Sequence, residues 1–150
     1  MRRSVFRLLV IFFAALPVAP AWAAGVEAYC AELQWVLLAP DGGSAVQVID
    51  VRRGVTPLAT LRSRQRGPIV ALHVQAASRR VWVLADNGLD AHDGFSGRLL
   101  GHWPAPAGVR LDRLEADGAG RPTAWSGAQA FEAVSGAAAL VPAGARLGWR

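Results

Sequence analysis

The chain contains no lysine and a single cysteine among its 150 residues. One cysteine cannot close an internal disulfide, so Cys30 is a free thiol, an intermolecular bridge or a small buried hydrophobe, and the buried state fits its surroundings best. Neither a C-x-x-C-H haem attachment nor a second cysteine for a metal pair exists. Without lysine, every basic side chain other than the three histidines is arginine, which in a chain rich in Ala and Gly points to base-composition bias. Also missing are a Ser-His-Asp order, a nucleophile elbow, an H-x-x-x-H or H-E-x-x-H pair and a phosphate-cradling loop before a helix. These absences argue against an enzyme and against a resident cofactor. Between residues 24 and 150 no apolar run reaches the length of a membrane span and no sustained 3.6-residue stripe marks a helix.

Residues 1–23 are organised differently. Arg2, Arg3 and Arg7 precede the apolar run Leu8 to Leu16, and Ala21-Trp22-Ala23 follows. A positive segment, a short apolar segment and an A-x-A site are the parts of a secretory signal peptide. The run is shorter than the about 20 residues a spanning helix needs, and Pro17 and Pro20 interrupt it. Cys30 follows Glu27-Ala28-Tyr29, which is not a lipoprotein signal. Cleavage near Ala23 would leave 127 residues, enough for one domain, with a net charge near +2 once the three leader arginines are gone. The chain is therefore expected in the periplasm or outside the cell, not spanning a membrane after cleavage.

The remainder repeats. An acidic residue four positions before a glycine recurs at Asp50–Gly54, Asp93–Gly97 and Glu132–Gly136, spaced by 43 and 39 residues. Spacings near 40 are those of four-stranded propeller blades. A tryptophan-bearing strand lies upstream of each: Gln34 to Leu38, Val81 to Leu84 and Thr123 to Trp125. The middle unit spells strands at Pro68 to Val74, Arg80 to Ala85, Gly88 to Asp93 and Arg98 to Trp103, with an Asn87-Gly88 turn between the second and third. The third unit repeats the plan over Val109 to Ala116, Arg121 to Ser126, Ala128 to Val134 and Ala137 to Val141. The first offers Leu33 to Ala39, Ala45 to Val51 and Pro57 to Arg62, with an opening strand near Val26 to Ala31. The expected class is all-β: a signal peptide over 1–23, a repeat domain over 24–143 in units of about 24–63, 67–104 and 108–143, and a tail over 144–150.

Ile69-Val70-Ala71-Leu72 with Arg80 to Leu89, and Val109 to Leu114 with Asp117-Gly118-Ala119-Gly120-Arg121, resemble the blades of bacterial β-propellers of the sensor-propeller and YVTN or quinoprotein-like kinds. The resemblance covers nearly all of residues 33–141 and implies a propeller-like array of about three four-stranded antiparallel blades. Propellers close with about 4 to 8 blades. Three blades leave three expectations: completion by oligomerisation, completion by a protein partner, or an incomplete, open stack of sheets.

Candidate binding residues are few. Arg62, Arg64 and Arg66, with Arg52 and Arg53 nearby, form a basic run suited to an anionic envelope ligand rather than to nucleic acid, or else a solvated loop between blades. Asp50, Asp93 and Glu132 read as acceptors that tie down their own turns. Among His73, His92 and His102, neighbouring strands could bring His92 and His102 together, and His92 precedes Asp93. His92 occupies the place of Ile49 and Phe131 in the other units, which favours packing. Trp35 and Trp82 read as core, whereas Trp103, beside His102 and Pro104, and the terminal Trp149 read as exposed contact residues. The expected role is that of an exported, non-catalytic interaction or ligand-binding module. The alternative is an accessory subunit or truncated relative of a periplasmic quinoprotein-like enzyme, and a third reading is catalysis at a small carboxylate-histidine site around His92 and Asp93.

Overall fold

A computed structural model of the chain describes residues 25–144. The leader expectation for 1–23, all but Gly144 of the tail, and Trp149 lie outside the described residues. Twelve strands follow in order: β1 Val26–Cys30, β2 Trp35–Ala39, β3 Ala45–Asp50, β4 Ala59–Arg62, β5 Ile69–Gln75, β6 Arg80–Ala85, β7 Gly88–Asp93, β8 Leu99–Pro104, β9 Arg113–Ala116, β10 Pro122–Ser126, β11 Gln129–Glu132 and β12 Val141–Pro142. They form three antiparallel sheets of four, β1-β2-β3-β4, β5-β6-β7-β8 and β9-β10-β11-β12, each made from one continuous stretch of chain. The array is the three-bladed, all-β arrangement expected from the repeats. Among the described residues no helix is long and apolar enough to cross a membrane.

Two cores hold the sheets together, and strand alternation decides which residue joins which. Trp35, Leu37, Val46, Val48 and Leu61 of the first sheet pack on Val74, Val81 and Val83 of the second. From the other face of the second sheet, Trp82, Leu84, Leu89 and Ala91 pack on Ala124, Phe131, Leu111 and Leu140 of the third unit. Strand β6 therefore sends Val81 and Val83 one way and Trp82 and Leu84 the other, which is why its apolar run is unbroken rather than alternating. Each large side chain sealed in this way stabilises the fold by about 1.5–3 kcal/mol.

The turns follow their chemistry. Asp93 Oδ1 accepts from the amides of Phe95 at 2.9 Å and Ser96 at 2.7 Å and from the Ser96 hydroxyl at 3.0 Å, while Gly97 closes the turn at φ +77°. Those donors hold the Asp93 carboxyl below its ordinary range, the Ser96 amide contributing most. Asp50 accepts from the Arg52 amide at 3.0 Å and from the Arg52 guanidinium, which lowers its pKa to about 2. Arg52 is thus part of a turn rather than of a free basic run. Glu132 instead borders a cavity between the second and third sheets.

Several strands are shorter than the sequence suggests, and at two of them a hydrogen bond gives the reason. Residues 109–112 do not enter β9, because the Leu111 amide donates to the Asp86 carbonyl at 2.7 Å and anchors this stretch to the β6–β7 turn. Strand β12 begins only at Val141, the Leu140 amide being bonded to the Pro104 carbonyl at 2.9 Å.

Candidate functional site

Strand β7 carries an aspartate where its neighbours are apolar. Asp90 lies between Leu89 and Ala91, on the face that meets the first sheet, and is 0 % exposed. A carboxylate buried this far is tolerated only when donors surround it. Four do. Its Oδ2 accepts from the Arg64 amide at 2.7 Å and the Ser63 hydroxyl at 3.2 Å, and its Oδ1 accepts from Gln65 Nε2 at 2.9 Å and His102 Nδ1 at 2.7 Å.

The surrounding residues make room for this arrangement. Gly88 stands one pleat before Asp90 on the same face, and a Cβ there would overlap the Gln65 amide. Gln65 is accordingly buried at 6 % exposure although it sits in the connection between β4 and β5. Its Nε2 also lies 3.0 Å from His102 Nδ1, so donor groups from two segments converge on one carboxylate oxygen. His102 reaches Asp90 from directly across β8. With Nδ1 donating to the carboxylate, the imidazole is held in one orientation and one tautomer, and its side chain stays 36 % exposed.

The cluster therefore fixes a loop. Arg62 ends β4 and the connection after it carries Arg64 and Arg66, all three exposed; the backbone of that connection is pinned through the Arg64 amide, Ser63 and Gln65 to the middle of the second sheet. The backbone that bears Arg64 and Arg66 is thus anchored instead of free, and His102, on β8, is tied to the same carboxylate. This arrangement can hold anionic groups by charge and by arginine forks. The Ser63 hydroxyl donates to Asp90 rather than toward the ring, so the His102–Asp90 pair is not aligned with it as base and nucleophile.

No family model matches the chain, and no curated protein matches it. The reading of the site rests on its geometry.

Other sequence candidates settle differently. His92 and His102 do not bond to each other: His102 stands opposite Asp90 and His92 opposite Leu99. Nor does His92 pair with Asp93. It is 1 % exposed, its Nδ1 lies 3.5 Å from the Gly97 carbonyl, and burial pushes its pKa below the ordinary value. Trp103 is not an exposed contact residue. Its ring lies 5.9 Å from that of Trp82, its Nε1 donates to the Val134 carbonyl at 2.9 Å, and it packs on the second core. His73 and Cys30 border an open cavity of about 510 Å³ beside the first strands of the three sheets, where burial lowers the His73 pKa. Cys30 is half-buried and packs against the first core. Among the described residues no group of three or more His, Cys, Asp or Glu side chains is placed to hold a metal ion.

Sequence reasoning missed Asp90 and Gln65. The available signal was a carboxylate between two apolar residues in mid-strand, Leu89-Asp90-Ala91, which demands partners from elsewhere in the chain. A second feature also escaped it: exposed Phe95, flanked by the guanidinium groups of Arg53 and Arg79, each 5.8 Å from the ring centre.

Proposed function

We propose that this chain is an exported, non-catalytic binding module that uses the anchored Arg62–Arg66 segment and His102 to hold an acidic ligand of the cell envelope. The supporting observation is the fourfold donation to buried Asp90. It ties an arginine-bearing connection to a rigid sheet, so little conformational freedom remains to be lost when an anion binds. The leader-like composition of residues 1–23 supports export, and placement outside the cytoplasm makes lipid headgroups and acidic polymers the accessible anions.

The test uses vesicles of phosphatidylglycerol and, separately, dextran sulfate, with phosphatidylcholine vesicles as control. Wild type is expected to bind both anionic probes and to lose affinity steeply between 50 and 200 mM salt. The triple variant Arg62→Ala, Arg64→Ala, Arg66→Ala is expected to bind roughly a hundredfold more weakly at low salt, each arginine beside an anionic surface contributing about fivefold. Binding that ignores salt, or that survives the triple variant, removes this reading.

A further inference from the structure

The three sheets repeat one packing scheme, and both ends of the array are unfinished in the same scheme. On one rung of each sheet a pair of residues faces the preceding sheet: Val81 opposite His92 in the second, Ala124 opposite Phe131 in the third. These four are 0, 1, 0 and 1 % exposed, respectively. The same rung of the first sheet holds Val36 opposite Ile49, with Tyr29 across from Val36 on β1. Val36 and Ile49 are only half-buried, and Tyr29 is 63 % exposed. The row is Tyr-Val-Ile, and its buried counterpart in the second sheet is Val74-Val81-His92, two valines and a histidine.

The opposite face behaves the same way. On the next rung Leu37 opposite Val48, and Trp82 opposite Ala91, are sealed against the following sheet. In the third sheet that rung holds Trp125 opposite Ala130, both half-buried. The Trp125 Nε1 is buried without a hydrogen-bond partner, and the Arg113 guanidinium lies 4.8 Å from its ring centre. A tryptophan that the fold buries between the second and third sheets thus recurs at the end of the array, where among the described residues no following sheet covers it.

We propose that two copies of this chain pack head to tail, the Tyr29-Val36-Ile49 face of each copy against the Trp125-Ala130 face of the other, into a closed ring of six sheets. The argument is continuity: each free face carries, rung for rung, the kind of residues that form the two junctions already present within the chain. Six sheets fall within the usual four to eight of closed radial arrays. Each contact joins unlike faces, and a two-fold axis along the ring closes both junctions at once. This inference does not depend on the acidic-ligand reading, since the arginine-bearing connection lies at the junction inside one chain.

Light scattering on the purified full chain over a dilution series tests it. The expected result is one species of two chains that dissociates on dilution. Ile49→Arg and Trp125→Arg should each give monomers with an unchanged circular dichroism spectrum. Mixing the two variants should restore two-chain particles that dissociate at higher concentration than wild type, because one of the two junctions is intact. Should either variant fail to fold, Ile49→Ser and Trp125→Phe replace it, each expected to raise the dissociation concentration about tenfold. A wild-type monomer overturns the proposal, including one whose end faces are covered by residues 1–24 or 145–150. So does loss of pairing in only one arginine variant, which signals like-to-like contact, and so do open filaments or particles of more than two chains.

Discussion

Replacing Asp90 by asparagine removes the charge at the centre of the cluster while keeping its shape. The amide can still accept at one oxygen, where Gln65 and His102 now donate. Its other atom becomes a donor aimed at the Arg64 amide and the Ser63 hydroxyl, which now donate to Oδ2 at 2.7 and 3.2 Å. A hydrogen bond to a charged acceptor is worth about 1.5–3 kcal/mol, and leaving the Arg64 amide unsatisfied in a buried place costs a further 1–3, so about 3 kcal/mol is the expected loss. For a domain of this size that is a fall of about 10 °C in Tm. The loss should concentrate in the connection itself. With Arg62, Arg64 and Arg66 exposed along it, limited trypsin digestion reports its opening directly. About 3 kcal/mol of local destabilisation corresponds to cleavage roughly a hundredfold faster. An Asp90→Asn protein with the wild-type melting temperature and trypsin rate would refute the claim that this carboxylate anchors the arginine segment.

Two further outcomes follow from residues on either side of the cluster. His92 is buried and its pKa is depressed, so below about pH 6.5 the unfolded chain takes up a proton that the folded chain refuses, and stability falls as pH drops toward the folded-state value. His92→Leu should remove its share of that loss in urea titrations between pH 7 and pH 5, and should add about 1 kcal/mol at pH 7 by eliminating the partnerless Nε2; His73, shifted in the same direction, should retain its own share. Gly101→Ala places a Cβ where the Trp103 ring lies, so it should lower stability by about 1–3 kcal/mol in denaturant melts. It should also disturb the near-ultraviolet circular dichroism of the Trp82–Trp103 pair.

The strand plan was readable because its punctuation is local. Asn87-Gly88, Asp93 to Gly97 and Asp117 to Gly120 each require a turn, and the apolar runs between them are the length of strands. The core tryptophans Trp35 and Trp82 were readable for the same reason. The Asp90 cluster was less so, because its central contact depends on one irregularity. A β-bulge between Ala91 and His92 shifts the pairing of β7 with β8 by one residue. Counted from the turn without that bulge, His102 would stand opposite Leu89 and point to the other face. Nothing in the residues around His92 announces the extra step. Gln65 was hidden differently: it sits in a polar connection, and only the missing side chain of Gly88, distant in sequence, gives its amide a place to enter.

The double-sided burial of the second sheet sets an order of opening. Strands β6 and β7 have no face that solvent can reach without parting from a neighbouring sheet. Their amides should therefore exchange hydrogen only when the whole array comes apart. Strands β4 and β12 lie at sheet edges, with one partner each, and need only fray. In the separated chain, a hydrogen-exchange profile read along the sequence should show one deep minimum in rate centred on residues 81–92, with faster exchange on both sides. The middle unit would then be the last part of the chain to be lost and, lacking either neighbour, the one least able to stand as an isolated fragment.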